Sequence, residues 1–477
     1  VSERLSQRSL PQVNAGVRAP TYDWQRLEPG IVHLGLGAFH RAHQAVFTED
    51  AILHSGGNWG ITGVSMRSDS VARQLLPQDC LYSVLAEDGR EQSLRVVAVV
   101  RNVLVAATQL EAVCQAIASP RTRIVSLTIT EKGYCTGADG CSLDRDHVQL
   151  RSDLDNPQQP TSAIGVLALA LERRRLQGGQ PLTLISCDNL SANGRVLAAV
   201  LREYAGLVFP ELSGWLEEHT RYPCSMVDRI VPAAAARQQA AQSAMLGLDD
   251  KAAIATERFN QWIIEDDFCS ERPAWDAVGV QFVDNILPYE RIKLGLVNAT
   301  HSAIAYAGLL AGRETVDEVV SDPTLGGYVH RLMTRSLVPA LSVPAGFDLN
   351  SYVEQLWVRF SNPCLRHRCA QIAMDGSEKI SQRWLPVLQQ ATRPEELLKA
   401  LACWCYYVLD SALDISDPRA DQLLALRASG DPTRLQGVLA YARITAESVP
   451  GYPQLCEQLE QNINRIRREG VRAFLAE

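Results

Sequence analysis

An α/β fold built on a parallel sheet, continued by a mainly α-helical domain, is predicted by three features of this 477-residue chain. Short apolar runs alternate with helical patterns over the first part of the chain. One of those runs enters a Gly-x-Gly turn. From about residue 286 strand patterns nearly vanish and helical periodicity takes over. The predicted domains are residues 1–285 and 286–477.

The elements follow in order. The first ~25 residues read as an irregular arm with no periodic apolar pattern. Gly30-Ile-Val-His-Leu-Gly35-Leu-Gly37-Ala-Phe39-His40-Arg41-Ala-His43 then runs from a short apolar strand into a turn and a helix. Glycines at such a turn let a pyrophosphate approach the backbone, so the segment resembles the Rossmann dinucleotide fingerprint. The third glycine is missing, and His40 stands in its place. Gly60-Ile-Thr-Gly-Val-Ser-Met66 is the second strand. In such folds an acid after this strand reads the ribose. Asp69 stands there and would favour NAD, whereas Arg67 would suit a 2′-phosphate. Between residues 81 and 106, Tyr82-Ser-Val-Leu-Ala, Asp88-Gly-Arg and Leu94-Arg-Val-Val-Ala-Val-Val read as an antiparallel hairpin added to the sheet. Residues 123–130 and 181–186 are apolar runs typical of strands buried on both faces, with a helix over 163–175 between them. In the second domain, residues 394–409 and 432–446 carry clear helical patterns.

Ligands of a doubly wound sheet collect beyond the carboxyl ends of its strands. Gly35 and Gly37 follow one strand, Asp69 a second, Glu131 a third, and Asp188-Asn189 a fourth. Each alone could be a turn or a cap; Asp188 and Asn189 would cap a helix over 196–204 well. Together they mark a ligand edge.

Composition excludes other classes. A net charge of −8 argues against nonspecific nucleic-acid binding. No apolar run reaches the ~18 residues of a membrane span. The first residues lack the apolar core of a signal peptide. Twelve scattered cysteines without a Cys-x-x-Cys pair read as reduced thiols of a cytoplasmic protein. No His-Glu-x-x-His or zinc-ribbon spacing occurs, so no metal is expected.

Lys293-Leu-Gly-Leu-Val-Asn298-Ala-Thr-His301 carries the most chemistry. Its apolar neighbours predict a buried helix. At about 100° per residue, Asn298 and His301 fall on the same face as Lys293. Such a polar trio in apolar surroundings needs partners or a task. A buried Lys accepts a proton near neutral pH, and an amide and an imidazole N–H can stabilise a developing alkoxide. That equipment suits metal-free oxidation of an alcohol or reduction of a carbonyl.

Five ordered motifs extend this reading. They are Gly-x-Gly-x-Phe-His-Arg-Ala-His at 35–43, Thr-Ile-Thr-Glu-Lys-Gly-Tyr at 128–134, Ser-Cys-Asp-Asn at 186–189, Met-Val-Asp-Arg-Ile at 226–230, and Lys-x4-Asn-x2-His at 293–301. From residue 30 to about 451 the chain thereby resembles the polyol-specific long-chain dehydrogenase/reductase family, which includes mannitol dehydrogenases and fructuronate reductases. The resemblance implies zinc-independent hydride transfer at a site between the two domains. It implies that Lys293 is the general acid/base and that Asn189 and Asn298 stabilise the oxyanion. His301 would orient the substrate, and Glu131 would gate proton exchange between Lys293 and solvent. Gly35, Gly37, Phe39, His40, Arg41 and Asp69 would bind NAD. Asp228 and Lys379 would contact substrate hydroxyls.

Arg366-His367-Arg368 and Gln371 resemble the fructuronate reductase branch and suit a sugar-acid carboxylate. Asn298-Ala-Thr-His301 and Met66-Arg67-Ser68-Asp69 depart from that branch, the latter toward mannitol dehydrogenases. The expectation is therefore D-fructuronate/D-mannonate interconversion, with mannitol 2-dehydrogenase or a related arabinitol or sorbitol dehydrogenase as the alternative. A non-catalytic dinucleotide-binding sensor is the rival class, and the intact Lys293, Asn298 and His301 argue against it. The expected partner is a small sugar acid or polyol, with no nucleic acid or membrane, for a monomer or small homo-oligomer.

Overall fold

The computed structural model describes residues 3–137, 139–232 and 236–477. The chain divides into two compact units, residues 1–287 and 288–477. The strands of the first unit are β1 (Pro29–Leu34), β2 (Gly60–Ser65), β3 (Tyr82–Glu87), β4 (Gln92–Val97), β5 (Val100–Val105), β6 (Ile124–Leu127), β7 (Leu182–Ser186), β8 (Thr220–Arg221), β9 (Ser225–Asp228), β10 (Ile254–Glu257), β11 (Gln261–Glu265) and β12 (Gln281–Val283).

Six of these form one sheet in the order β5-β2-β1-β6-β7-β8, and every neighbouring pair is parallel. β2, β6 and β7 are buried at every residue, as expected of strands covered by helices on both faces. Successive side chains serve opposite cores, as the two-residue strand repeat requires. Val32, Val125 and Leu184 pack under the helices Ala106–Ala118, Ala163–Leu176 and Asn193–Val208. Ile31, Ile124 and Ile185 face Val46, Phe47, Trp262 and Trp275 on the other side. The chain passes from β1 to β2 on one side and later to β6 on the other. The switch point of the sheet therefore lies between β1 and β6.

The predicted hairpin forms, with β3 antiparallel to β4 and Asp88 accepting from the N–H groups of Arg90 and Glu91 in its turn. It is not on the edge of the parallel sheet. β10 pairs with β3, making a separate three-stranded sheet, and β5 leaves the hairpin to join the parallel one. β9, β11 and β12 form a third small sheet. These strands escape a sequence reading because each spans only three to five residues.

The second unit is built around the helix Ala299–Leu310, buried from Ala299 to Gly308. The helices Cys369–Ala373 and Glu395–Leu409 pack against it, and Tyr452–Glu469 packs on the latter. The pattern over 394–409 appears as Glu395–Leu409, whereas that over 432–446 gives only Arg434–Tyr441 before Arg443 turns left-handed at φ 58°. Among the described residues of this unit the only extended pairing is an isolated bridge between Thr315 and Arg368. No helix of the described residues is long and apolar enough to cross a membrane.

Candidate functional site

In the first unit, the segments that follow β1, β2, β6 and β7 share one edge because those strands run parallel. The turn after β1 is closely fitted. Gly35 has φ 93°, and a Cβ there would lie 2.0 Å from the Thr128 carbonyl oxygen. That approach ties the turn to the end of β6, where the Thr128 hydroxyl donates to the Gly35 carbonyl at 3.0 Å. Gly37 differs: a Cβ there would meet nothing nearer than the Gly35 carbonyl at 3.7 Å. No packing among the described residues requires that glycine, so the bare backbone faces open space, as an approaching pyrophosphate needs.

Behind the turn, His40 and Arg41 point inward. The His40 ring stacks on His33, with centroids 3.5 Å apart. His33 is held by the hydroxyls of Ser126 and Thr128 at 2.8 and 2.9 Å. Burial pushes His33 down to about 3, and His40 well below its usual range, so both rings are neutral. Arg41 donates to the backbone carbonyls of Ala252 and Gly37 and lies over the Tyr82 ring. Phe39 is half-buried and stacks on His43. Asp69 is exposed after β2 and pairs with Arg73 at 3.1 Å, while Arg67 donates to Gln149.

The segments after β6 and β7 are bound together. Asp188 does not cap the following helix, whose N-cap is Ala192. Its carboxylate instead accepts from the N–H groups of Ile129 and Thr130, at 3.0 and 2.8 Å, and from the Tyr134 hydroxyl at 2.7 Å. Burial pushes the Asp188 carboxyl up to about 6 against the pull of these donors, and Glu131 beside it adds to the rise. Glu131 and Asn189 are exposed on either side of this contact. Asp228 ends β9 and is buried. The Asn193 amide reaches both the Asp188 carbonyl and the Ser225 carbonyl, which joins β9 to the same edge.

In the second unit, the predicted Lys293 helix departs from an α-helix. Residues Lys293–Asn298 are wound as a π-helix, and the Ala299 N–H donates to the Leu294 carbonyl five residues back. Such segments are rare and cluster at functional sites. The wider turn brings Asn298 closer above Lys293 than the 100° spacing of an α-helix predicts. Lys293 and Asn298 are half-buried rather than buried, and His301 is buried. Arg383 donates to the Asn298 carbonyl at 3.3 Å and to Ser302, and Trp384 donates to the Ala299 carbonyl at 3.0 Å. These two residues carried no signal in the sequence beyond an ordinary helical pattern.

Phe360 and His367 place their rings 4.7 and 5.3 Å from that of His301. Burial, with Arg359 nearby, pushes His367 down to about 4. The Arg366-His367-Arg368 run is not helical: Arg366 has φ 43°, and Arg368 precedes the helix Cys369–Ala373. Only His367 of the three meets His301; Arg366, Arg368 and Gln371 are exposed. Lys379 is half-buried on the helix Gly376–Arg383, 3.7 Å from Asp375. Among the described residues no three His, Cys, Asp or Glu side chains are grouped as a metal site would need.

Residues 29–277 match the mannitol dehydrogenase Rossmann domain, and residues 285–467 match the mannitol dehydrogenase C-terminal domain. The D-mannonate oxidoreductase of Escherichia coli (strain K12) is 39% identical over 470 residues, covering 93% of this chain and 97% of its own. The solved Pseudomonas fluorescens mannitol 2-dehydrogenase, a ternary complex with NAD and D-mannitol, is 34% identical. It has a TM-score of 0.86 and covers 99% of this chain and 98% of its own. A D-sorbitol dehydrogenase solved in substrate-free form is 32% identical with a TM-score of 0.90, covering 99% and 100%.

Proposed function

The chain belongs to the mannitol dehydrogenase family of oxidoreductases, and from that premise we propose that it is an NAD-dependent, metal-independent enzyme interconverting a keto sugar acid and its alcohol. D-Fructuronate and D-mannonate are the substrates of this reading. The observation that carries it is the π-helical segment that sets Asn298 above Lys293, with His301 one turn further and His367 against it.

The backbone at Gly35 and Gly37 would hold the pyrophosphate, with Phe39 beside it and Asp69 at the ribose. His40 and Arg41 would hold the turn from behind. When bound, NAD(H) supplies or accepts the hydride. Lys293 gives a proton to the substrate oxygen in reduction and takes it back in oxidation. Asn298 and Asn189 donate N–H groups to that oxygen while its charge develops. His301 orients the substrate, Glu131 passes the proton of Lys293 to solvent, and Asp228 and Lys379 bind hydroxyls. His367, neutral near pH 7, offers a hydrogen bond but no charge. The carboxylate therefore needs Arg366 or Arg368, with Gln371 as a neutral neighbour.

A second reading is a polyol dehydrogenase, favoured by the 34% identity to the Pseudomonas fluorescens mannitol 2-dehydrogenase. Either enzyme would act on a small molecule, as a monomer or small homo-oligomer without nucleic-acid or membrane partners. The twelve cysteines, none of them in a disulfide, support a cytoplasmic setting. Replacing the base tests the mechanism. Lys293→Ala should lower kcat by about 10²- to 10⁴-fold with cofactor affinity nearly intact. Near-wild-type turnover in that variant would remove Lys293 from the chemistry.

A further inference from the structure

Thr130 sits immediately before Glu131 with φ 65° and ψ 162°. That region is essentially reserved for glycine, and a β-branched residue persists there only where its surroundings over-determine it. The surroundings are explicit here. Both oxygens of Asp188 hold the peptide, one accepting from Ile129 N–H and the other from Thr130 N–H. Tyr134, at the far end of the short 3₁₀ turn Glu131–Tyr134, donates to the same carboxylate and shares a 2.5 Å bond with the Ser186 hydroxyl. The turn that carries Glu131 is thus gripped at both ends by one side chain. Asp188 itself precedes Asn189, and its own carbonyl is held by Asn193, which also spans to Ser225 on β9.

We propose that Asp188 is a positioning residue for the reaction: its carboxylate forces Thr130 into a glycine-like conformation and so aims Glu131, while its backbone fixes Asn189 beside it. One buried side chain then sets the relative placement of the proton gate and of one oxyanion donor. A mere helix cap would leave the β6 segment alone, and a mere core contact would not need two N–H groups from a strained peptide. Small displacements of such groups cost rate rather than affinity, with about 1 Å worth up to 10²-fold. The inference rests on the oxidoreductase reading of this site.

Two measurements on the full chain test it. The first is amide hydrogen exchange, which needs no turnover. The Ile129 and Thr130 N–H groups should be protected in the wild type and exchange at least about 10-fold faster in Asp188→Asn. The second is kinetic. Asp188→Asn should lower kcat by about 10- to 100-fold, with the affinity for NADH kept within about 3-fold. Adding Thr130→Gly should restore at least about a fifth of the wild-type kcat, because glycine adopts that backbone without force. Because glycine also relieves backbone strain and so adds stability of its own, kcat is compared under conditions where urea unfolding shows every variant fully folded. If Asp188→Asn does not fold, Tyr134→Phe removes one donor and should give a smaller loss with the same rescue. Unprotected wild-type amides, an unchanged kcat, or a loss that Thr130→Gly fails to repair would overturn the proposal. Protected amides in a wild type that turns over no ketose, keto acid or polyol would support the clamp and overturn the oxidoreductase reading alone.

Discussion

In the proposed keto sugar acid reading, the neutral His367 beside His301 leaves the carboxylate's charge to be met by other residues. The ring can donate or accept one hydrogen bond, so the charge must come from the exposed Arg366 or Arg368. Losing a charge-assisted bond costs about 1.5–3 kcal/mol, roughly 10- to 150-fold. Arg366→Met and Arg368→Met, made separately, should in at least one case lower kcat/KM for fructuronate by that factor. Residual activity on fructose should barely change. Equal losses on both substrates would make the run a structural feature. Asp69 gives a second test at this scale. Asp69→Ala should narrow a preference for NADH over NADPH, because a carboxylate repels a 2′-phosphate; a wild type that prefers NADPH would instead favour Arg67 as the reader. Lys293, Asn298 and His301 stand out in the sequence because polar types in an apolar run are costly, whereas Asp69 is singled out by its place after a strand and Arg366-His367-Arg368 by resemblance alone. The inward turn of His40 and Arg41 was not legible, since a motif gives no side-chain direction.

At the scale of elements, strands with continuous apolar runs were readable and the short ones were not. The sequence predicts β1, β2, β6 and β7, whose residues are buried on both faces. β9 to β12 are too short to show a period. The segment Lys293–Asn298 reads as α-helix in any 3.6-residue pattern, which cannot show its π winding or the bonds from Arg383 and Trp384 to the Asn298 and Ala299 carbonyls. The buried histidine of β1 has a measurable consequence. His33 is neutral when folded, with its pKa pushed from 6.5 to about 3. Between those values the unfolded chain binds the extra proton, so stability rises with pH there. This contribution is fully present above about 6.5 and is lost as pH falls, amounting to about 2 kcal/mol at pH 5. Urea unfolding of the wild type should show that decline between pH 7.5 and 5. His33→Gln should flatten it by a similar amount; an unaltered slope would mean that His33 is not a buried neutral ring.

For the whole molecule, the order of five motifs along the chain made the family legible before any contact was known. The substrate was not, because relatives named for a sugar acid and for a polyol resemble the chain to a similar degree. Metal independence is testable on the intact enzyme: exhaustive chelation should leave turnover unchanged, and activity lost on chelation and regained with zinc would contradict it. Whether the enzyme is a reductase of keto sugar acids is decided by kcat/KM with NADH across D-fructuronate, D-tagaturonate and D-fructose, and with NAD⁺ across D-mannonate, D-mannitol and D-arabinitol. D-Fructuronate and D-mannonate should lead their series by about 10-fold or more, as one charge-assisted contact to a carboxylate provides. A wild-type enzyme that prefers D-mannitol and D-fructose, or that turns over none of the six, would contradict that reading.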